Sequence, residues 1–295
     1  MPSTLLRRVE ADPGVLAKRT FTGLALAVGV GASIVFGPSW SPVLLIAALV
    51  LAGAWEWAGL VDQRATRRWR SAYVLTIALC MLVAWIAAGT RSTVAVVLWT
   101  VALGWWLAAL GAVLRFGAGA SSSESGAPSP LPKGLVGAAG ALCLVPAWLA
   151  LGQVHVRTDG PWALLSIILL TVAADIGAYF VGRLYGRRRL APRVSPGKTL
   201  EGLLGGLVCT VLLASLLAAL GAVPTPPGFV LVAMGVALVS VLGDLTVSLF
   251  KRNAGVKHSG RLLPGHGGVL DRIDSFCATA PLWGLWLAYT GRLQG

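Results

Sequence analysis

Residues 228–274 read GFVLVAMGVALVSVLGDLTVSLFKRNAGVKHSGRLLPGHGGVLDRID. The stretch to Phe250 is an apolar run long enough to cross a bilayer, which takes about 20 residues. One carboxylate, Asp244, lies inside that run, and the run ends abruptly in a polar loop. The loop and the turn after it hold five cations, Lys251, Arg252, Lys257, Arg261 and Arg272. They also hold the glycine-rich turn Pro264-Gly265-His266-Gly267-Gly268 and two more carboxylates, Asp271 and Asp274. Polar chemistry concentrated at the end of an apolar span marks a functional site at a membrane edge.

The mixture of charges narrows the chemistry. Carboxylates hold Mg²⁺, which takes few protein ligands and completes its shell with water and phosphate oxygens. Lys and Arg bind phosphate, and a glycine-rich turn lets backbone amides approach it. A helix starting near Leu270 is expected to aim its positive end at the same place. Carboxylates alone would point to a metal or proton site, and cations alone to lipid headgroups. Together they point to metal-assisted chemistry on a phosphate.

Composition carries the membrane reading to the whole chain. Of 295 residues 56% are hydrophobic and 12% charged, half the roughly 25% charged of a soluble domain. The expected fold is all-α and polytopic, with nine spans at about 20–37, 41–60, 72–90, 93–114, 134–152, 161–182, 202–221, 228–250 and 274–291. Gly202 and Gly206 give the seventh span a small-xxx-small face for helix packing. With the N-terminus inside, 21 of the 24 basic residues fall in inner segments, leaving Arg91, Arg157 and Arg292 outside. Positive charge accumulates on the cytoplasmic side, so the loops 183–201 and 251–273 are expected in the cytoplasm of a cell whose inner membrane holds the chain. The net charge of +13 is then a property of these loops, and nucleic acid is not an expected partner.

Two regions follow, 1–152 with five spans and 153–295 with four. Residues 117–133, GAGASSSESGAPSPLPK, form a Gly/Ser/Pro-rich cytoplasmic linker. The polar first 19 residues lead into a full-length span, so no cleaved signal is expected. Cys80, Cys143, Cys209 and Cys277 all lie in apolar segments and read as buried free thiols. Trp40, Trp69 and Trp162 stand near span ends, where tryptophan anchors helices at the interface.

Other polar groups need an account. A carboxylate in a span must face protein or a water-filled cavity, and Asp175 and Glu56 both lie in spans. Asp175 is placed in the site; Glu56, near the inner end of its span, is read as a structural or interfacial group. In the loop 183–201, Ser195-Pro196-Gly197-Lys198-Thr199 precedes a helix. Hydroxyls, amides and one ammonium there make an anion cradle without the spacing of a P-loop. His266 is a candidate base or ligand, and His155 falls in an outer loop with no assigned role.

Three blocks of this chain resemble the phosphatidate cytidylyltransferases, the CDP-diacylglycerol synthases. They are Ser248-x-x-Lys251-Arg252 through Pro264-Gly265-His266-Gly267-Gly268-x-x-Asp271-Arg272-x-Asp274, Asp175-x-Gly177-Ala178-Tyr179 with Gly182-Arg183, and Leu190-Ala191-Pro192 through Glu201-Gly202. The likeness runs over about 170–275. It implies that CTP and phosphatidate give CDP-diacylglycerol and pyrophosphate, as a step in phospholipid biosynthesis. It implies Mg²⁺ in a two-cation centre with K⁺, held by Asp244 and Asp271, with Asp175 and Asp274 in support. Ser195, Lys198 and Thr199 then handle phosphates, with Lys257, Gly267, Gly268 and Arg272 also at the substrate. Lys251, Arg252 and His266 join the acids in catalysis. A homodimer rests on the resemblance alone.

Two positions depart from that family's pattern: Val247 replaces an acid and His258 follows Lys257 where an acid is usual. Competing readings are a non-catalytic paralogue, a CTP-using enzyme acting on another lipid phosphate, and a membrane transporter. The transporter lacks an outer acid to complete a path. The topology has a direct check. With the four native cysteines replaced by serine, a cysteine at Ser122 should react with a membrane-impermeant thiol reagent only after cells are opened. One at Thr225 should react on intact cells, and the opposite pattern would invert the orientation.

Overall fold

A computed structural model describes residues 28–117, 131–156, 160–221, 228–260, 262 and 267–291. Among these residues a helix through 28–36 (α1) is followed by α2 (Trp40–Val61), α3 (Arg67–Thr90), α4 (Ser92–Gly117) and α5 (Lys133–His155). Then come α6 (Gly160–Tyr185), α7 (Leu200–Ala219), α8 (Phe229–Asn253) and α9 (Leu270–Tyr289). The second to ninth expected spans each fall on one of these helices, residues 20–27 of the first lie outside the described residues, and α2 to α8 are long and apolar enough to cross a membrane. The chain is a nearly all-α, multi-pass membrane protein. The last helix starts four residues before the expected span, because Asp271, Arg272 and Asp274 are part of its first turns.

Helix starts follow local chemistry. The Thr66 hydroxyl accepts from Trp69 N ahead of α3, and the Thr199 hydroxyl accepts from Gly202 N ahead of α7. Each satisfies an amide that the first turn leaves without an intrahelical acceptor. Where α2 ends and α5 begins, the exposed Lys133 pairs with Asp62, and the ammonium holds that carboxyl below its usual range. An exposed pair of this kind adds little stability.

The loop 183–201 holds the only two-stranded sheet among the described residues. Its strands β1 (Arg189–Ala191) and β2 (Ser195–Thr199) pair antiparallel. Pro192 opens the turn between them, where its fixed φ suits a reversal. Val194 at that turn is fully buried in a small apolar cluster with Val113 of α4 and Val241, Leu245 and Leu249 of α8. The hairpin is therefore clamped to the bundle by its tip.

The bundle centre is aromatic. Trp57, Trp99, Trp106 and Trp283 are completely buried, whereas Trp40, Trp69 and Trp162 are exposed near helix ends as expected. Trp57 donates from Nε1 to the Val136 carbonyl at 2.8 Å and packs on Phe250 at 5.2 Å. This joins α2, α5 and α8. Outward faces of α3 and α4 show Leu75, Leu79, Leu82, Ile86, Leu107 and Leu114 to the surroundings, as suits hydrocarbon rather than water. Cys143 and Cys277 are buried, but Cys80 lies exposed on α3, so only part of the expected thiol burial holds. His155 is buried at the end of α5 rather than in a loop.

The most extensive helix pair is α6 with α7, and glycine makes it so. A Cβ on Gly206 would lie 2.6 Å from the Ala174 carbonyl oxygen, and one on Gly202 would lie 2.8 Å from that of Ala178. Small residues let helix backbones approach closely where lipid offers no hydrophobic driving force. Gly206→Val should therefore destabilise by about 1–3 kcal/mol through overpacking. Gly111→Ala on α4, with open space around it, should be neutral or stabilising; thermal unfolding in detergent compares the two.

Candidate active site

Helical spacing puts the polar residues of each span on one face. On α6, Asp175, Ala178, Tyr179, Gly182 and Arg183 recur at three- and four-residue steps, the separation of neighbours along a helix surface. On α8 the same rule stacks Asp244, Ser248 and Lys251, and on α9 it stacks Asp271, Asp274 and Ser275. These three faces and the β2–α7 junction enclose a cavity of about 770 Å³. Asp175, Asp244, Asp271 and Asp274 all line it, together with Arg183, Arg189, Lys198, Lys251 and Arg272. Its polar wall continues into apolar Leu190, Leu203 and Val241. At the end of α6, Tyr179, Phe180, Leu184 and Tyr185 carry that apolar character onto the exposed surface.

Glycine again sets the approach. A Cβ on Gly243 would collide with the Asp274 carbonyl oxygen and stand 3.1 Å from Ser275 Cα. The α8 and α9 backbones thus touch one residue before Asp244, which brings the two acids to the same wall. Each carboxylate has partners there. Lys198 Nζ lies 2.7 Å from Asp244 Oδ2, and Ser248 donates to Asp244 Oδ1 at 3.1 Å. Lys251 Nζ lies 2.7 Å from Asp271 Oδ1, and the Ser259 amide is 3.4 Å from Oδ2. Ser240 donates to Asp175 at 3.2 Å, and the Ser275 amide to Asp274 at 2.8 Å. Both lysines are themselves half-buried to buried, so these pairs are held in place rather than waving in solvent.

Not every sequence candidate reaches the cavity. Thr199 lines it, although its hydroxyl already caps α7. Ser195, Lys257 and Arg252 are absent from its lining. Ser195 sits at the clamped end of the hairpin, opposite Ala191, and Lys257 is exposed. Arg252 donates from Nε to the Val194 carbonyl at 3.2 Å and so ties the hairpin to α8. Gly267 adopts φ +86°, a left-handed conformation suited to glycine, and stands close to Asp271. Gly268 faces Glu56 and Ser259 instead. His266 lies outside the described residues, as do Pro264, Gly265, Arg261 and the linker from 118 to 130. The first amide of α9 does not face an incoming anion: Leu270 N donates to the Glu56 carboxylate at 2.9 Å.

Among the described residues no three His, Cys, Asp or Glu side chains are close enough to hold a metal ion between them. Mg²⁺ does not need three, because water and phosphate oxygens fill most of its octahedral shell. The hard-oxygen donors Asp244 and Asp271 on one cavity wall fit that requirement.

The sequence profile described as "Cytidylyltransferase family" matches residues 17–290. The chain belongs to that family. It is similar to a protein named phosphatidate cytidylyltransferase from Pseudomonas aeruginosa, 38% identical over 263 residues, which cover 84% of this chain and 89% of the relative. A Haemophilus influenzae protein of the same name is 41% identical over 190 residues, covering 62% and 65% of the two chains. An Escherichia coli protein named uncharacterized protein YnbB is 42% identical over 146 residues, 48% of each chain. The two positions at which the chain departs from the family resemblance lie away from the cavity acids. Val247 is fully buried in the apolar core and His258 is exposed, and neither lines the cavity.

The Lys251–Asp271 pair predicts a non-additive mutant series. Lys251→Met leaves a largely buried carboxylate short of its main partner, a loss of about 1–3 kcal/mol. Adding Asp271→Leu should recover most of that stability, because the uncompensated charge is gone. Thermal unfolding of the two single variants and the double variant measures the coupling.

Proposed function

We propose that this chain transfers the cytidylyl group of CTP to phosphatidate, making CDP-diacylglycerol and pyrophosphate in phospholipid biosynthesis. The observation that carries the reading is the meeting of four carboxylates and five cations in one cavity whose wall runs into exposed apolar surface. A water-soluble nucleotide and a membrane lipid must meet at such a boundary. The family membership and the names of the relatives support the same reaction.

In that reaction a phosphate oxygen of phosphatidate attacks the α-phosphorus of CTP. The bond from that phosphorus to the oxygen bridging the β-phosphate breaks, and pyrophosphate leaves with its electron pair. Both reactants are anions, so catalysis consists largely of positioning and charge neutralisation. Asp244 and Asp271 would hold Mg²⁺, with K⁺ as a second cation and Asp175 and Asp274 in support, and such cations would supply charge neutralisation for the triphosphate. Lys198, Lys251, Arg183 and Arg272, which line the same cavity, clamp phosphate oxygens. Thr199 caps the helix next to Lys198. Arg252 and Ser195 act through the hairpin, Lys257 at the loop surface, and Gly267 and Gly268 by shaping the chain just before α9, with His266 beside them in sequence as a candidate base.

Every described residue that lines the cavity falls between 175 and 275, which supports assigning catalysis to residues 153–295 and a scaffold to 1–152. The charge distribution along the sequence supports an inner-membrane location with the cavity on the cytoplasmic side. The family resemblance supports a homodimer.

Purified protein in detergent, given CTP, phosphatidate, Mg²⁺ and K⁺, should form CDP-diacylglycerol and pyrophosphate in equal amounts. Asp271→Asn should lower kcat by at least about 100-fold, the scale of removing one transition-state charge contact. Absence of turnover from folded wild-type protein would sink the reading in favour of a non-catalytic paralogue or another lipid phosphate.

A further inference from the structure

Glu56 sits on α2, which contributes nothing to the cavity wall, yet its carboxylate is 3% exposed and reaches the turn before α9. Its Oε2 accepts two hydrogen bonds, from Ser259 Oγ at 2.9 Å and from Leu270 N at 2.9 Å. The second is the cap that α9 lacks from its own N-cap residue, since Val269 offers no side-chain acceptor. The first holds Ser259, whose backbone amide points at Asp271 Oδ2. One carboxylate oxygen thus touches both chain segments that flank Asp271.

The surroundings are shaped to this carboxylate. A Cβ on Gly268 would fall 2.5 Å from Oε2, and one on Gly260 would collide with Oε1. Two glycines therefore make room for it. The neighbouring residue Trp57 is locked by its bond to Val136 and its contact with Phe250, which fixes the rotation of α2. Among the described residues Oε1 is buried without a hydrogen-bond partner, a placement that costs free energy. Helix capping alone needs no charged group in such a place, as Thr66 and Thr199 show elsewhere in the chain.

We propose that Glu56 is a positioning residue for the cavity: it latches the 254–260 turn to the start of α9 and thereby aims the Asp271 carboxylate. The proposal rests on the reading of Asp271 as a metal-holding group. It differs from a packing role because the loss should appear at the metal rather than only in stability. Partners behind a metal ligand commonly change metal affinity by about 10- to 100-fold.

The test uses full-length protein in detergent and Mn²⁺ as the probe, with bound Mn²⁺ read by electron paramagnetic resonance in the absence of substrate. Glu56→Ala should weaken Mn²⁺ binding by about 10-fold and speed amide exchange in peptides covering 254–260 and 267–275. Glu56→Gln, which keeps an acceptor oxygen, should restore most of both. Val50→Ala, a buried packing change on the same helix, should lower Tm and leave Mn²⁺ affinity unchanged. Wild-type affinity in Glu56→Ala overturns the proposal, as does equal weakening by Val50→Ala or failure of Glu56→Gln to rescue. If Glu56→Ala does not fold, Ser259→Ala takes its place, with weaker Mn²⁺ binding expected and unchanged binding decisive against. Asp271→Asn separates the two levels. If it leaves Mn²⁺ binding intact, the metal reading of Asp271 falls, while the exchange data still decide whether Glu56 holds the turn.

Discussion

A carboxylate placed in a membrane span must meet a partner or water, and α6, α8 and α9 each bring at least one. That constraint accounts for more of this structure than any single contact. Asp175, Asp244, Asp271 and Asp274 come to one cavity, where Lys198 and Lys251 pair with two of them and serine hydroxyls or amides serve the others. The same cavity gives them access to water, which an apolar interior would deny. A site for charged substrates inside a membrane protein follows from how such charges can be tolerated at all.

Bringing three helices that close demands small residues at the crossings. Gly243 lets α8 touch α9, and Gly202 and Gly206 let α6 touch α7. The hairpin then delivers Lys198 from outside the bundle. Its delivery depends on a buried tip, with Val194 in the apolar cluster and Arg252 holding the Val194 carbonyl. The position of Lys198 is thus a property of apolar packing some distance from it. Such sharing of labour is what fixed, preorganised charge requires.

Much of the cavity was legible along the chain. Asp244, Ser248 and Lys251 share a helical face by spacing alone, and so do Asp175, Tyr179 and Arg183. Helix boundaries were legible too, because apolar length and turn residues are local signals. Other features were not. Glu56 lies 214 residues from its partner Leu270, and no periodicity connects them. For the same reason the start of α9 was expected to face an anionic ligand, when a protein carboxylate already occupies it. Ser195 and Arg252 looked like phosphate-binding groups by residue type. In the fold they flank the hairpin clamp, because strand pairing and a buried valine decide where that segment can lie. Val247 read as a missing acid of the site, whereas its helical phase turns it into the apolar core.

By itself, then, the sequence determined a multi-pass helical membrane protein, the location of its polar chemistry at the ends of particular spans, and the class of reaction those residue types suit. These follow from transfer free energies and helical periodicity, which act over a few residues. The tertiary structure decided which of the candidate groups face one cavity and which brace it. It also decided that a carboxylate from the first half of the chain holds the turn beside Asp271. Those outcomes depend on helix crossings set by glycine and tryptophan packing between distant segments, and no local pattern encodes them.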